Sequence, residues 1–290
     1  MSNRQGVGTA AARAAVRHDA MVAAYDAQRA RVTDSRRDAW AGCAQSFKMD
    51  PRRPLDALLG KIASYVRVDD VLIDVGGGAG RLSLPLALRC REAVVIDPSA
   101  GMREVFDATA KEAGIDNARF VGSGWLEAGG ITGDVALVAH VTYFVPQIAP
   151  FIEKLQAATR RRVIVCARSV PPPNQVAGFF RLAHHEELAP VPGPSELLAV
   201  LEELGIAAEV IDIGPAAATA TAGVAATRED AIRNEVEAAV KAGWLHAADG
   251  QRLGKLIDDH FDDLFAETER GFWRRSALEA RDLLITWETS

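Results

Sequence analysis

The segment of the chain best suited to bind a ligand is a glycine-rich stretch that follows a short apolar run. Asp74 lies near the end of the run Val71–Val75, glycines follow at positions 76, 77, 78 and 80, and Arg81 begins a predicted helix. Glycines let a backbone turn tightly after a strand and let a ligand approach closer than a side chain would allow. In an open α/β sheet, ligands bind just outside the carboxyl ends of the strands. The stretch therefore predicts a ligand-binding loop.

The spacing of the glycines distinguishes two kinds of ligand. A dinucleotide-binding loop requires G-x-G-x-x-G, and here a non-glycine residue occupies the third glycine position in either register. The spacing that does fit is acid-x-G-x-G-x-G, formed by Asp74, Gly76, Gly78 and Gly80. An acid at this point would repel a pyrophosphate and would attract an ammonium group. The loop thus favours a ligand that carries an ammonium group.

A second acid follows at a suitable distance. Asp97 ends the apolar run Ala93–Asp97, seventeen residues beyond Gly80. A carboxylate at this point can accept hydrogen bonds from both hydroxyls of a ribose. Both kinds of loop use such an acid, so Asp97 alone does not discriminate between them. Together with the glycine loop, however, the two acids resemble the class I S-adenosylmethionine-dependent methyltransferases, over residues 71–168.

This resemblance implies a set of cofactor contacts. The methionine part of S-adenosylmethionine would be surrounded by Asp74, Gly76, Gly78 and Gly80, and Asp97 would bind the ribose hydroxyls. The adenine would be flanked by Pro98, Ser99 and Met102. Ser123 stands where many relatives carry an Asp beside the adenine amino group. Trp125 either packs on the adenine face or lies in the core at a strand edge.

In this family the methyl acceptor binds beyond the end of the fourth strand, predicted here as Asp134–Ala139. His140 and Tyr143 follow that strand and are the candidate catalytic side chains, and His140 is also a candidate cofactor contact. The alternative for His140 is that its side chain packs while its backbone lines the cofactor. No Asn/Asp-Pro-Pro-aromatic sequence follows the strand, which disfavours methylation of the amino groups of nucleic-acid bases.

Two further groups of polar residues have simpler interpretations. Arg168 either meets an anionic substrate or is a solvated arginine at a strand end, and the second is expected. The run His184-His-Glu-Glu187 resembles a set of metal ligands, but adjacent residues on a helix point about 100° apart, so a solvated helix face is expected instead. No metal site is predicted.

Composition narrows the class of protein. The 290 residues contain 33 Lys and Arg against 39 Asp and Glu, a formal net charge of −6, which disfavours a nucleic-acid partner. The three cysteines are far apart and form no disulfide framework or zinc cluster pattern. No apolar run approaches the ~20 residues that span a bilayer. A cytoplasmic protein with a small-molecule substrate and no membrane partner is therefore expected.

The order of predicted elements gives the fold. Three helices are expected first, over Thr9–Val32, Asp34–Phe47 and Pro54–Tyr65, and short β-branched runs then alternate with amphipathic helices. This pattern predicts an α/β Rossmann-like fold with a mostly parallel seven-stranded sheet. Residues 1–66 would form an N-terminal helical extension or lid, and residues 67–290 the methyltransferase domain. Helical insertions are expected over about 171–205 and 227–268, the second ending in a helix over Gln251–Thr268, and the last strand over Asp282–Trp287.

A protein or nucleic-acid methyltransferase is disfavoured by the net charge and by the missing base-methylation motifs, and three other functions remain to be distinguished. The favoured one is transfer of a methyl group from S-adenosylmethionine to a small-molecule acceptor whose identity the sequence leaves open. An NAD-dependent oxidoreductase on the same architecture is disfavoured by the loop spacing, by Asp74 and by the helical residues that precede the first strand. A non-catalytic protein that binds S-adenosylmethionine is the third, because methyl transfer requires few dedicated residues.

Overall fold

A computed structural model describes residues 7–32, 40–216 and 224–289. Seven of its strands form one sheet: β1 (Val71–Val75), β2 (Glu92–Ile96), β3 (Ala118–Val121), β4 (Gly133–Ala139), β5 (Thr159–Arg168), β6 (Glu209–Pro215) and the last strand, β9 (Arg281–Glu288). The other two, β7 (Phe265–Thr268) and β8 (Gly271–Arg274), form a separate antiparallel hairpin. The sheet order is β3-β2-β1-β4-β5-β9-β6. β1 to β5 are parallel, and β9 runs antiparallel to both of its neighbours. The predicted mostly parallel seven-stranded sheet is confirmed.

Helices cover both faces of this sheet and also form a separate cluster beside it. They are α1 (Val7–Val32), α2 (Ala57–Ala63), α3 (Ser83–Ala87), α4 (Ala100–Ala113), α5 (Ile148–Ala158), α6 (Ala177–His184), α7 (Pro194–Glu203), α8 (Arg228–Lys241), α9 (Gly250–Asp259), α10 (Phe261–Leu264) and α11 (Arg275–Leu278). One core cluster joins the sheet to α5 and α7, and a second joins the opposite face to α2, α3 and α4. Because both faces are buried, the inner strands are nearly continuous apolar runs.

Capping side chains fix the ends of two helices near the predicted site. Ser99 is the N-cap of α4 and accepts a hydrogen bond from the Met102 N–H, and Gly114 ends the same helix in the left-handed conformation. Asp56 caps α2 by accepting from the Leu59 N–H. The predicted start of this helix at Pro54 is therefore wrong, because the cap places the first helical residue after Asp56.

The N-terminal helices differ in part from the prediction. The helix over Thr9–Val32 is confirmed as α1. Of the predicted helix over Asp34–Phe47, residues 34–39 lie outside the described residues, and Ala41–Phe47 forms a 3-10 helix. α1 packs along α7 and near the start of α5, where the Asp19 carboxylate accepts from the Ile148 N–H at 3.1 Å. α1 is thus packed directly against the helices that cover one face of the sheet.

The second insertion contains a hairpin that the sequence did not indicate. The single helix predicted over Gln251–Thr268 is wrong: the segment forms α9 and α10, and the residues after Leu264 pair with Gly271–Arg274 as β7 and β8. Phe272 in β8 also forms a bridge with Ala225. A separate cluster of buried residues joins this insertion to α6. Among the described residues, no helix combines the length and apolar character needed to cross a membrane.

Candidate functional site

The glycine loop makes a tight turn between β1 and α3. Gly76, Gly78 and Gly80 have φ angles of +70°, +52° and +78°, which residues other than glycine rarely adopt. A Cβ on Gly76 would lie 2.3 Å from a methyl carbon of Val141, the second residue after β4. Glycine at position 76 therefore lets the loop after β1 lie directly against the segment that follows β4. The carboxyl ends of the two strands form a single site.

Asp74 lies beneath this loop and is 1% exposed. Its Oδ1 is buried and has no hydrogen-bond partner, and the buried Ser83 hydroxyl lies nearby but outside hydrogen-bond geometry. The pKa of Asp74 is raised to about 7, chiefly by burial and also by the negative charge of Asp97. The Ser83 hydroxyl and the positive charge of Arg81 act in the opposite direction. A buried carboxylate oxygen without a partner is costly unless another group binds it. The loop thus presents an acceptor suited to a cation or a hydrogen-bond donor.

Asp97 is held in a fixed orientation at the end of β2. Its Oδ2 accepts from the Gly78 N–H at 3.1 Å and its Oδ1 from the Ser99 N–H at 2.9 Å. These two bonds fix the orientation of a carboxylate, a group that can accept hydrogen bonds from both hydroxyls of a ribose. The next residue, Pro98, is exposed, and Met102 is buried with its sulfur 3.4 Å from the position of a Cβ on Gly78. The structure therefore brings the loop, Asp97 and Met102 together.

The two residues predicted after β3 differ in their surroundings. Ser123 is half-buried and donates to the Gly124 carbonyl at 3.1 Å. Trp125 is buried in the core, its Nε1–H donates to the Phe151 carbonyl at 3.3 Å, and the Lys154 ammonium lies 4.8 Å from its ring centre. Packing in the core therefore explains the position of the Trp125 side chain. A contact of Ser123 or Trp125 with adenine stays a prediction.

His140 has an unusual backbone conformation directly after β4. Its φ is +60°, and among the described non-glycine residues only His185 shares a positive φ. The left-handed conformation costs an L-residue about 1–2 kcal/mol, and such residues cluster at functional sites. The His140 N–H still donates to the Cys166 carbonyl at 2.9 Å, which extends the pairing with β5. This bond holds the half-buried imidazole at the strand end.

Tyr143 connects His140 to β5. The buried Tyr143 hydroxyl accepts from the Arg168 N–H at 2.6 Å and lies 3.3 Å from the His140 Nδ1. Burial raises the pKa of Tyr143. Burial also lowers the pKa of His140 to about 3, and the positive charges of Arg168 and Arg81 add to this lowering. Both side chains are therefore uncharged at neutral pH.

The prediction that Arg168 is solvated is wrong. The side chain is buried, and its Nε lies 3.3 Å from the Asp282 carboxylate. Arg168 in β5 is paired in register with Asp282 in β9. Sequence reasoning did not connect these residues, because they are more than one hundred positions apart and the antiparallel pairing of β9 leaves no local signal.

Aromatic residues of the N-terminal extension reach this side of the sheet. The rings of Tyr25 and Trp40 lie 6.1 Å and 6.2 Å from that of Phe144, which also contacts Tyr143. Tyr25 is buried beside Tyr143 in one cluster, whereas Trp40 is 46% exposed. The extension therefore contributes side chains next to the predicted acceptor site, and its action as a lid stays a prediction.

The His-His-Glu-Glu segment has structural partners. The His184 Nε2 lies 2.8 Å from the Trp244 carbonyl, and its ring packs on Phe180. Glu186 and Glu187 form ion pairs with arginines. Across residues 7–32, 40–216 and 224–289, no group of three or more His, Cys, Asp or Glu side chains is arranged to hold a metal ion.

Sequence comparisons find no matching family model and no matching curated protein. Solved structures do match. The YcgJ protein of Bacillus subtilis is 15% identical, covers 80% of this chain and 98% of its own, and has a TM-score of 0.53. BH2331 of Bacillus halodurans C-125, provisionally described as a methyltransferase, is 12% identical with 80% and 97% coverage and a TM-score of 0.53. This chain therefore shares the α/β Rossmann-like fold of these solved structures.

A third solved structure limits what this fold implies. The [4+2]-cyclase SpnF is 13% identical, covers 86% of this chain and 93% of its own, and has a TM-score of 0.55. A protein described as a cyclase thus has the same fold as one described as a methyltransferase. The fold alone therefore does not determine the reaction, which depends on the residues of the site.

Proposed function

We propose that this protein binds S-adenosylmethionine at the glycine loop and transfers its methyl group to a small-molecule acceptor. The observation that carries the proposal is the buried Asp74 oxygen without a partner beneath a loop of acid-x-G-x-G-x-G spacing. S-adenosylmethionine has an ammonium group that can supply the missing partner. Asp97, held at the end of the adjacent strand, is oriented to bind the ribose hydroxyls of the same ligand.

The charges of the site favour this cofactor over NAD. The negative charge of Asp97 raises the pKa of the Asp74 carboxyl, and a cation beside Asp74 would relieve this repulsion. The pyrophosphate of NAD would add negative charge at the same place. Pro98, Ser99 and Met102 follow Asp97 and are proposed to flank the adenine, with Ser99 holding the start of α4.

The chain's own task in methyl transfer is alignment. The cofactor supplies a methyl group on a sulfonium: the acceptor's lone pair forms the bond to the methyl carbon, and the breaking C–S bond leaves its electron pair on sulfur. The protein must hold the acceptor in line with that bond and exclude water. Phe144, with Tyr25 and Trp40 of the extension, supplies apolar surface beside the site. We propose that the extension acts as a lid there.

The proposal also covers the class of the methyl acceptor, a membrane partner and the cellular compartment. The net charge of −6 supports a small-molecule acceptor over nucleic acid, and we propose no membrane partner. The three cysteines, all within the described part of the chain, form no disulfide, which supports a reducing, cytoplasmic compartment.

Calorimetric titration of S-adenosylmethionine, S-adenosylhomocysteine and NAD tests the cofactor. The wild type should bind the two adenosyl ligands and not NAD, and Asp97→Ala should lose at least about tenfold in affinity with its ribose hydrogen bonds. Asp116→Ala, which removes an exposed carboxylate before β3, is the matched control and should bind normally. Binding of NAD alone, or of no ligand, would overturn the proposal. Cofactor binding without turnover on a broad acceptor panel would support a non-catalytic protein.

A further inference from the structure

The hydrogen bonds of Tyr143 determine which nitrogen of His140 carries the proton. The Tyr143 hydroxyl is buried and accepts from the Arg168 backbone N–H, which can only donate. Its own proton therefore needs an acceptor, since a buried donor without one costs about 1–3 kcal/mol. Among the described residues, the acceptor within reach is the His140 Nδ1 at 3.3 Å.

It follows that His140 Nδ1 carries no proton. A neutral imidazole has one N–H, so the proton of His140 lies on Nε2. His140 Nε2 forms no hydrogen bond with a residue that the structure describes, and the side chain is half-buried at the end of β4. Nε2–H is therefore a donor available to a ligand at the proposed acceptor site.

Two arginines act on His140 electrostatically. The positive charges of Arg168 and Arg81 reach its imidazole, and the Arg168 guanidinium is itself paired with the Asp282 carboxylate. The ring contact on its own segment comes from Tyr143, which is uncharged, and the carbonyl of Cys166 in β5 accepts from its backbone N–H. A ligand atom beside Nε2 would thus meet an N–H donor, and a hydrogen bond from such a donor is stronger when the acceptor is an anionic oxygen.

We propose that His140 binds the acceptor as a neutral hydrogen-bond donor through Nε2, and that the acceptor carries an anionic oxygen nucleophile, a carboxylate or phenolate. This inference rests on the proposed methyl transfer. The acceptor oxygen forms the bond to the methyl carbon as the C–S bond breaks and leaves its electron pair on sulfur. No proton is transferred, so His140 is not required as a base. Tyr143 is a positioning residue that fixes the tautomer.

Long-range ¹H–¹⁵N NMR of the imidazoles tests the tautomer in protein saturated with S-adenosylhomocysteine. The signals of His140, assigned by their loss in His140→Gln, should show the Nε2–H form unchanged between about pH 5.5 and about pH 8. Tyr143→Phe removes the hydroxyl that donates to Nδ1 and should give a mixture of both tautomers. An Nδ1–H form in the wild type, or titration of His140 in this range, would overturn the donor role.

Benzoate is the probe for the acceptor class, with benzamide as its neutral control. Benzoate should bind the saturated protein and shift the Nε2–H proton downfield, and benzamide should do so less. His140→Gln retains an N–H donor and should bind benzoate, whereas His140→Leu should lose about tenfold or more in benzoate affinity, measured with each variant saturated with S-adenosylhomocysteine. Absence of benzoate binding, or equal effects of the two probes, would overturn the anionic class. Failure to bind S-adenosylhomocysteine would instead overturn the cofactor proposal.

Discussion

Protonation of Asp74 provides a quantitative test of how the cofactor is held. The carboxyl is buried, and its pKa is raised to about 7 chiefly by that burial. Only the ionised form can pair with the ammonium group of the cofactor. The apparent affinity is reduced by the fraction of protein in the competent form, so it should fall about tenfold per pH unit below 7. S-adenosylhomocysteine should therefore bind about a hundredfold more weakly at pH 5 than at pH 8.

Calorimetry at a series of pH values, in buffers with different heats of ionisation, measures both the affinity and the proton released on binding. About one proton should be released in the wild type at pH 6. Asp74→Asn should bind more weakly with little pH dependence. Asp116→Asn, which changes an exposed carboxylate, should keep the wild-type slope. An affinity that is constant from pH 5 to pH 8, or a slope that survives in Asp74→Asn, would refute the role of this carboxylate.

The same raised pKa has a consequence for the stability of the ligand-free protein. Because the folded state holds the Asp74 proton more tightly than the unfolded state, the folded state binds more protons between about pH 4 and about pH 7. The contribution of this group to the free energy of unfolding is full below that window and is lost as pH rises through 7. Thermal unfolding measures this effect as the melting temperature of Asp74→Asn minus that of the wild type. This difference should be more positive at pH 8 than at pH 5.

Two other substitutions have matched controls. Gly80→Ala places a side chain at a φ of +78° with its Cβ 2.7 Å from Leu84 and Phe106, whereas Gly114→Ala, at +62°, meets nothing within 4 Å. Urea unfolding should show a loss about 1–3 kcal/mol larger for Gly80→Ala, and equal losses would contradict the packing of the loop. Asp282→Ala removes the carboxylate facing a buried arginine and should cost about 3–5 kcal/mol. Asp212→Ala, whose ion pair is 47% exposed, should cost about 0–1 kcal/mol, and similar losses for the two would refute the importance of burial.

The parallel part of the sheet and the loop could be predicted because their signals are local. β1 and β2 are continuous apolar runs, each ending near an acid, and the glycines lie where the structure requires positive φ angles. The predicted placement of Asp74 and Asp97 at neighbouring strand ends follows from these runs alone. Local pattern thus sufficed for the residues proposed to bind the cofactor.

Features that depend on distant pairing could not be predicted. The burial of Arg168 depends on Asp282 in an antiparallel strand, and the hairpin of β7 and β8 replaces what reads locally as the end of a helix. The tautomer of His140 depends on a backbone N–H in β5 that the sequence does not connect to Tyr143. The surroundings of the proposed acceptor therefore required three-dimensional structure, whereas the cofactor loop did not.

A crystal structure of the complex with S-adenosylhomocysteine tests the central claim most directly. We expect the ammonium group to lie within hydrogen-bond distance of Asp74 Oδ1 and the ribose hydroxyls to donate to Asp97. A ligand bound elsewhere, or bound at the loop with its ammonium group away from Asp74, would contradict it.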